Sequence, residues 1–185
     1  TKTLNFWSSY QTPSAPISPK AVTINNMAIG TSSASPTALN LVFDTNGQAS
    51  ISVNYPDAGK LQLDAQYIGS GNEQGLVMTG SNQFVSVPAG LCVKPMDASA
   101  SCPSANMNCN AYRKAGQSFG MTVQAMAWEK DDDKDFCSGN LPTPNFSDAQ
   151  MKLASKVVAP SIASGGHDGA LGVASYSHSA QANNL

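Results

Sequence analysis

Apolar and polar residues alternate through residues 43–67, and this alternation is the clearest structural signal in the chain. Apolar side chains between 49 and 55 are separated by serine and asparagine, and those between 61 and 67 by glutamine and aspartate. A period of two is typical of a strand with one buried face. The Asn-Gly pair at 46–47 tolerates the positive φ of a tight turn. The region therefore predicts strand, hairpin turn, strand, corner and strand, as in a β-sandwich.

The same criterion predicts short strands elsewhere and a division into two modules. Further strands are predicted at 21–24, 37–43, 83–87, 91–93, 119–127, 151–158 and 171–177. Residues 1–20 are rich in proline and serine and are predicted to be an extended lead-in. The turn residues at 88–90 mark a boundary, which gives one module over 21–89 and a second over 90–185. No amphipathic helix of ordinary length is predicted.

Composition favours an exported, polar-faced β protein. The chain has 185 residues, of which 12% are charged and 41% hydrophobic, and its net charge is −2. The charged share is about half of that in an average soluble protein. Scattered lysines and a negative net charge argue against nucleic acid as a partner. No apolar run is long enough to span a membrane. Because Thr1 is not an initiator Met, we expect the chain to be a processed form or a segment of a longer chain.

The four cysteines, Cys92, Cys102, Cys109 and Cys137, favour disulfide bonds over a metal site. They form no Cys-x-x-Cys pair and have no histidine at zinc-finger spacing. An even count in a β chain of low charge is typical of an oxidising compartment. Three connectivities are open. If 91–93 and 119–128 are antiparallel neighbours, Cys92 and Cys137 lie at the same end of the module, so we prefer 92–137 with 102–109.

Candidate chemistry is sparse, and we expect neither an enzyme nor a cofactor. Tyr55, Asp57 and Gly59 are predicted to form a structural corner, with Asp57 capping a tight turn and Tyr55 buried there. The acidic loop at 129–135 is oxygen-rich, but it lacks the spacing of an EF-hand and carries two lysines, so a solvated loop is favoured over a calcium site. Adjacent His167 and Asp168 lack an oriented nucleophile.

Several segments resemble the C-terminal region of the bacterial MshQ-like proteins, which are encoded with the mannose-sensitive haemagglutinin type IV pilus. The similar segments are 40–43, 47–49, 55–65, 84–88, 113–119 and 143–146. The resemblance extends over about residues 3–180 and rests on structural motifs. It implies an exported, surface or pilus-associated protein with tandem immunoglobulin-like modules. The Tyr-x-Asp-x-Gly corner occurs only once, so we expect the second module's last strands to lie beyond Leu185 or to come from a partner.

These observations lead to one hypothesis and two alternatives. We predict an all-β chain of tandem immunoglobulin-like β-sandwich modules, of which the second is cross-linked by disulfides. Its expected role is a non-catalytic structural or adhesive part of a Gram-negative surface or type IV pilus apparatus, with other pilus or surface proteins and host or matrix glycans as partners. The alternatives are a carbohydrate-binding module of a secreted protein and an accessory domain of a secreted hydrolase.

Overall fold

The chain folds as two units that contain β-strands. A computed structural model describes residues 1–97, 113–131, 133–152, 162–165, 175–179 and 183–184. The units comprise residues 1–88 and 89–185, so the division lies one residue from the limit predicted at 89. Within the described ranges, strands and short 3-10 helices are the regular elements, and there is no α-helix.

Unit 1 is a β-sandwich of seven strands. The strands are β1 (Lys2–Thr12), β2 (Thr23–Ile24), β3 (Met27–Ala28), β4 (Thr37–Leu41), β5 (Val53–Asn54), β6 (Gly59–Ile68) and β7 (Val77–Ser86). They form a four-stranded sheet in the order β4-β1-β6-β7 and a three-stranded sheet in the order β3-β2-β5. All of these pairings are antiparallel.

Buried side chains from both sheets share one hydrophobic core. Its members are Phe6, Val22, Ile24, Ile29, Leu39, Leu41, Tyr55 and Leu61. Ile24 comes from the smaller sheet and Leu61 from the larger one, and each is at most 1% exposed. Removal of this apolar surface from water is the main force that holds the two sheets together.

The predicted lead-in over residues 1–20 was wrong. Residues 2–12 form β1, which lies between β4 and β6 in the larger sheet. Phe6 points into the core and is 3% exposed, whereas the next residue, Trp7, points to the opposite face. The proline-rich stretch begins only at Pro13, after the strand has ended. The outward-facing Trp7 and the buried Ser8 interrupt the alternation that would have identified the strand.

The predicted strand at 49–55 is much shorter than expected. Only Val53 and Asn54 pair with β2. Ser52 instead donates its N–H to the Asn25 side chain at 2.9 Å, and its carbonyl accepts from Asn25 N at 2.8 Å. Asparagine side chains can compete with a regular ladder in this way. A turn is present at 44–47, with Gly47 at φ +74° and its N–H donated to Asp44 O. The predicted hairpin was wrong, because the strands before and after this turn, β4 and β5, belong to different sheets.

Unit 2 contains five described strands in two small sheets. They are β8 (Gly90–Pro95), β9 (Met121–Met126), β10 (Asp148–Lys152), β11 (Ser175–His178) and β12 (Asn183–Asn184). β12, β9 and β8 form one sheet in that order, and β10 pairs with β11. The antiparallel pairing predicted between the strands at 91–93 and 119–127 is confirmed by the β8–β9 register. The predicted strand at 151–158 begins earlier, at 148, while 153–158 and 171–174 lie outside the described residues.

Candidate functional site

The corner at 55–59 is a structural feature of unit 1. Asp57 is 2% exposed, and its Oδ1 accepts the N–H of Ala58 at 2.7 Å. Tyr55 is 9% exposed and donates its hydroxyl to the Tyr10 hydroxyl at 2.7 Å. Tyr10 in turn donates to Lys20 O at 3.2 Å and accepts from Lys20 N at 3.1 Å. The corner therefore ties β1 to the segment that enters β6, and Tyr10 was not predicted from the sequence.

Gly59 is required in the corner by its backbone conformation. Its φ is +147°, a region that residues with a side chain rarely adopt. A Cβ at this position would lie 2.7 Å from the carbonyl oxygen of Thr12. The corner and the end of β1 therefore approach too closely for any residue except glycine.

The disulfide bond between Cys92 and Cys137 is present, as predicted. Cys92 lies in β8 and is 3% exposed, and Cys137 follows the acidic loop after β9. The bond therefore closes a segment with a sequence separation of 45 residues. Cys102 and Cys109 lie outside the described residues, so their predicted bond stays a prediction.

The acidic loop uses two of its carboxylates for local turns. Asp133 Oδ1 accepts the N–H of Asp135 at 2.8 Å, and Asp135 Oδ1 accepts the N–H of Cys137 at 2.9 Å. Among the described residues, no group of three or more histidine, cysteine or carboxylate side chains is placed to hold a metal ion. These turns lead the chain into the disulfide.

The face of the larger sheet that points away from the core carries polar side chains around Trp7. Asp64 lies opposite Trp7 in the β1–β6 register. Gln62 donates to Asp64 Oδ1 at 2.9 Å, and Gln83 donates to Gln62 Oε1 at 3.4 Å. We call this surface the outer face. The second tryptophan, Trp128 in unit 2, is 69% exposed.

An apolar groove of about 540 Å³ lies at one end of unit 1. Its lining includes Leu4, Phe43, Ala65 and Met78, and its rim includes Lys2 and Glu73. Lys2 Nζ is 2.6 Å from Glu73 Oε1, and the Tyr67 hydroxyl also donates to Glu73. The volume falls in the range of small-molecule sites.

The ion pair at the groove rim shifts the pKa of both partners. The hydrogen bond with Glu73 raises the pKa of Lys2, and the same bond lowers the pKa of Glu73. Both shifts favour the charged forms, so the pair persists at neutral pH. No local pattern in the sequence identifies this pair, because its partners are 71 residues apart.

His178 is a buried titratable group in unit 2. It is 2% exposed, and its Nδ1 lies 3.0 Å from the Tyr176 hydroxyl. The Phe146 ring lies against it with the ring centroids 5.3 Å apart. Burial lowers the pKa of His178, and Asp148, opposite it in the β10–β11 register, works against that shift.

In the described ranges, none of the helices is both long and apolar enough to cross a bilayer. Comparison with the curated proteins and with the solved structures gives no match.

Two family models match, and they divide the chain close to the boundary between the units. One describes the first immunoglobulin-like domain of DUF6701, a domain of unknown function, and matches residues 1–81. The other describes the second domain of DUF6701 and matches residues 87–185. The first of these descriptions agrees with the sandwich observed in unit 1. The chain belongs to the DUF6701 family and carries its first two domains in tandem.

Proposed function

We propose that this chain is a non-catalytic structural and adhesive segment of an exported bacterial surface protein, associated with a pilus or a similar apparatus. The observation that carries the proposal is the succession of two compact β units with a disulfide bond between Cys92 and Cys137. Disulfides persist in oxidising compartments. Sandwich modules in series are common in cell-surface proteins. Low charge and the resemblance to surface-associated proteins point the same way.

Surface display and adhesion can be tested separately in the bacterium that encodes the chain. An epitope inserted at the exposed turn containing Asn46 should be reached by antibody on intact cells. Replacing residues 1–185 in frame with an unrelated tandem module of equal length then separates the two roles. A spacer tolerates the exchange, whereas an adhesive segment loses attachment while display is retained. An epitope that is reached only after cell lysis would contradict the proposal.

The outer face supports a second candidate function, the binding of carbohydrate. An indole ring offers an apolar surface on which a sugar ring can stack, and neighbouring side-chain amides can form hydrogen bonds with the hydroxyl groups of the sugar. Trp7 lies on this face near Gln62 and Asp64. The polar character of the face is what favours sugars over an apolar partner.

Two tryptophan variants distinguish sugar binding from non-specific adsorption. Trp7→Ala should abolish retention on a glycan array, whereas Trp128→Ala, which removes an exposed tryptophan from unit 2, should leave retention unchanged. Because Trp7 points away from the core of unit 1, circular dichroism should show that the variant keeps its strands. Equal loss in both variants would overturn carbohydrate binding by the outer face.

A further inference from the structure

Strand β7 is a long sheet edge without the usual protection. It lies at the end of the four-stranded sheet, and its ten residues pair with β6 without a bulge. Its sequence contains no charged residue and no proline. Soluble proteins usually protect exposed edges with charges, proline, bulges or short strands. The opposite edge, β4, follows this rule, since it has five residues and comes directly after Pro36.

The hydrogen bonds of β1 show which backbone groups of β7 point away from the sheet. Ser8 donates its N–H to Gly30 O at 2.9 Å, on the side of β1 opposite β6. Successive residues of an antiparallel strand direct their backbone groups to alternate sides. In the β1–β6 register, the even-numbered residues of β6 direct their backbone groups toward β1 and the odd-numbered ones toward β7. The even-numbered residues of β7 lie opposite these odd-numbered residues of β6, so the odd-numbered residues of β7 direct their backbone groups away from the sheet. Gln83 agrees, since its N–H bonds Asn82 Oδ1 at 2.8 Å.

We propose that β7 pairs antiparallel with β7 of a second copy of this chain, about a two-fold axis at Ser81. In this register Ser81 lies opposite itself, Thr79 opposite Gln83, and Val77 opposite Val85. All five residues have outward-directed backbone groups, so each opposed pair can exchange two N–H···O=C bonds. Gln83 gives up its bond to Asn82 and donates to the carbonyl of Thr79 in the other copy.

The order of side chains in β7 makes a second copy a complementary occupant. The two-fold axis brings Val77 against Val85 on the outer face, where they are 57% and 67% exposed. On the other face it brings Met78, which is 52% exposed, against Phe84. Apolar residues therefore meet apolar residues on both faces, and no like charges oppose each other.

The paired edges would join the larger sheets of two copies into one continuous sheet. Such an interface is isologous, because the same patch serves both copies and closes the assembly as a dimer. This inference goes beyond the proposed function, since neither spacing nor adhesion requires self-association. It is tested on the purified chain, so its outcome does not depend on where the protein acts.

The first test introduces a charge at the two-fold axis. In sedimentation across a wide range of concentrations, the wild-type chain should show a monomer–dimer equilibrium. Ser81→Lys and Ser81→Glu should each weaken self-association by about fivefold, because like charges then face each other across the axis. An equimolar mixture of the two variants should restore it. Asn5→Lys is the matched control, because Asn5 lies on the same face of the sheet in the central strand β1.

The outcomes of this test are decisive in both directions. A wild-type chain that stays monomeric at every concentration overturns the proposal. Variants that dimerise as well as wild type, or a mixture that does not recover, show that another surface is used. Thermal melting followed by circular dichroism checks that each variant is folded. Ser81 is exposed, so its replacement should be tolerated.

Cross-linking tests the register. Ser81→Cys should form a disulfide between copies under mild oxidation, because directly opposed residues have Cα atoms about 5.5 Å apart. Thr79→Cys alone should not, but should cross-link when it is mixed with Gln83→Cys. Peptide mapping identifies the bond. Efficient cross-linking of Thr79→Cys to itself would contradict pairing about Ser81.

Discussion

At the scale of single residues, the corner at 55–59 provides the sharpest test of backbone strain. Gly59→Ala should lower the free energy of unfolding of unit 1 by about 1–3 kcal/mol, because the new Cβ meets the Thr12 carbonyl at an unfavourable φ. Gly80→Ala is the matched control, since a Cβ there has no atom within 4 Å. Urea denaturation in a Trp128→Phe background, where Trp7 reports on unit 1, measures both. Equal effects at the two positions would contradict a special role for Gly59.

The hydroxyl chain from Tyr55 through Tyr10 to Lys20 predicts an order of stabilities. Tyr10→Phe should destabilise unit 1 by about 2 kcal/mol, because it removes the bonds to both Tyr55 and Lys20. Tyr55→Phe removes only one of these bonds and should cost about 1 kcal/mol. The double variant should lose less than the sum, since the shared bond is lost once. Additive effects in a denaturation cycle would argue against a connected chain.

The sequence predicted the residues of this corner but not their partner. Tyr55, Asp57 and Gly59 carry a local signal, because turn-forming residues close together in sequence determine the backbone path. Tyr10 is 45 residues away from Tyr55, and only the β1–β6 register brings it near. Contacts between distant strands depend on register, which residue composition does not define.

At the scale of elements, the disulfide bond should determine the stability of unit 2 and leave unit 1 unchanged. Replacing both Cys92 and Cys137 with alanine should cost about 3–4 kcal/mol, as expected for a sequence separation of 45 residues. Denaturation of a Trp7→Phe background, in which Trp128 reports on unit 2, measures the effect. Residues 1–88 should show an unchanged midpoint in the matching Trp128→Phe background.

The other cysteine pair serves as the comparison for that measurement. Cys102→Ala with Cys109→Ala should leave the Cys92–Cys137 bond intact in a non-reduced peptide map. If this double substitution destabilises unit 2 as much as replacement of Cys92 and Cys137 does, the Cys92–Cys137 bond is not the dominant cross-link of unit 2.

Strand prediction succeeded where alternation was uninterrupted and failed where side chains broke the pattern. β6 was predicted almost to its ends because its leucines alternate cleanly with polar residues. β1 was missed because the buried Ser8 and the outward-facing Trp7 reverse the expected polarity at the centre of the strand. The strand at 49–55 was predicted too long because Asn25 replaces part of the ladder around Ser52. These are tertiary effects that a local pattern does not encode.

At the scale of the whole molecule, the apolar groove and the two sheets of unit 1 were beyond sequence analysis for a common reason. The groove is lined by residues from near the beginning and the end of the sequence of unit 1, such as Leu4 and Met78, which only the sheet order brings together. The division into two units was accessible, because a cluster of turn residues at 88–90 marks it locally. A boundary between units can thus be recognised from a few neighbouring residues, whereas a cavity depends on the assembled fold.

The two units should also respond differently to acid. Burial lowers the pKa of His178 in the folded state below its ordinary value of 6.5. Near that pH the unfolded chain binds a proton that the folded chain does not bind. The contribution of His178 is therefore complete above 6.5 and is lost as the pH falls from 6.5 toward the folded-state pKa. Unit 1 contains no histidine, and the pKa of Glu73 is lowered from 4.5, so that pair weakens only at more acidic pH.

Chemical denaturation from one unit above pH 6.5 to about one unit below it tests this difference. In the Trp7→Phe background, the Trp128 signal should show unit 2 losing stability over this range. In the Trp128→Phe background, the Trp7 signal of unit 1 should stay nearly constant. His178→Gln should flatten the dependence of unit 2, because glutamine keeps polar atoms near Tyr176 but does not titrate. His167→Gln is the control for the only other histidine and should leave the slope unchanged. If the pH dependence of unit 2 remains in His178→Gln and disappears in His167→Gln, the prediction is wrong, because His167 then causes the acid response.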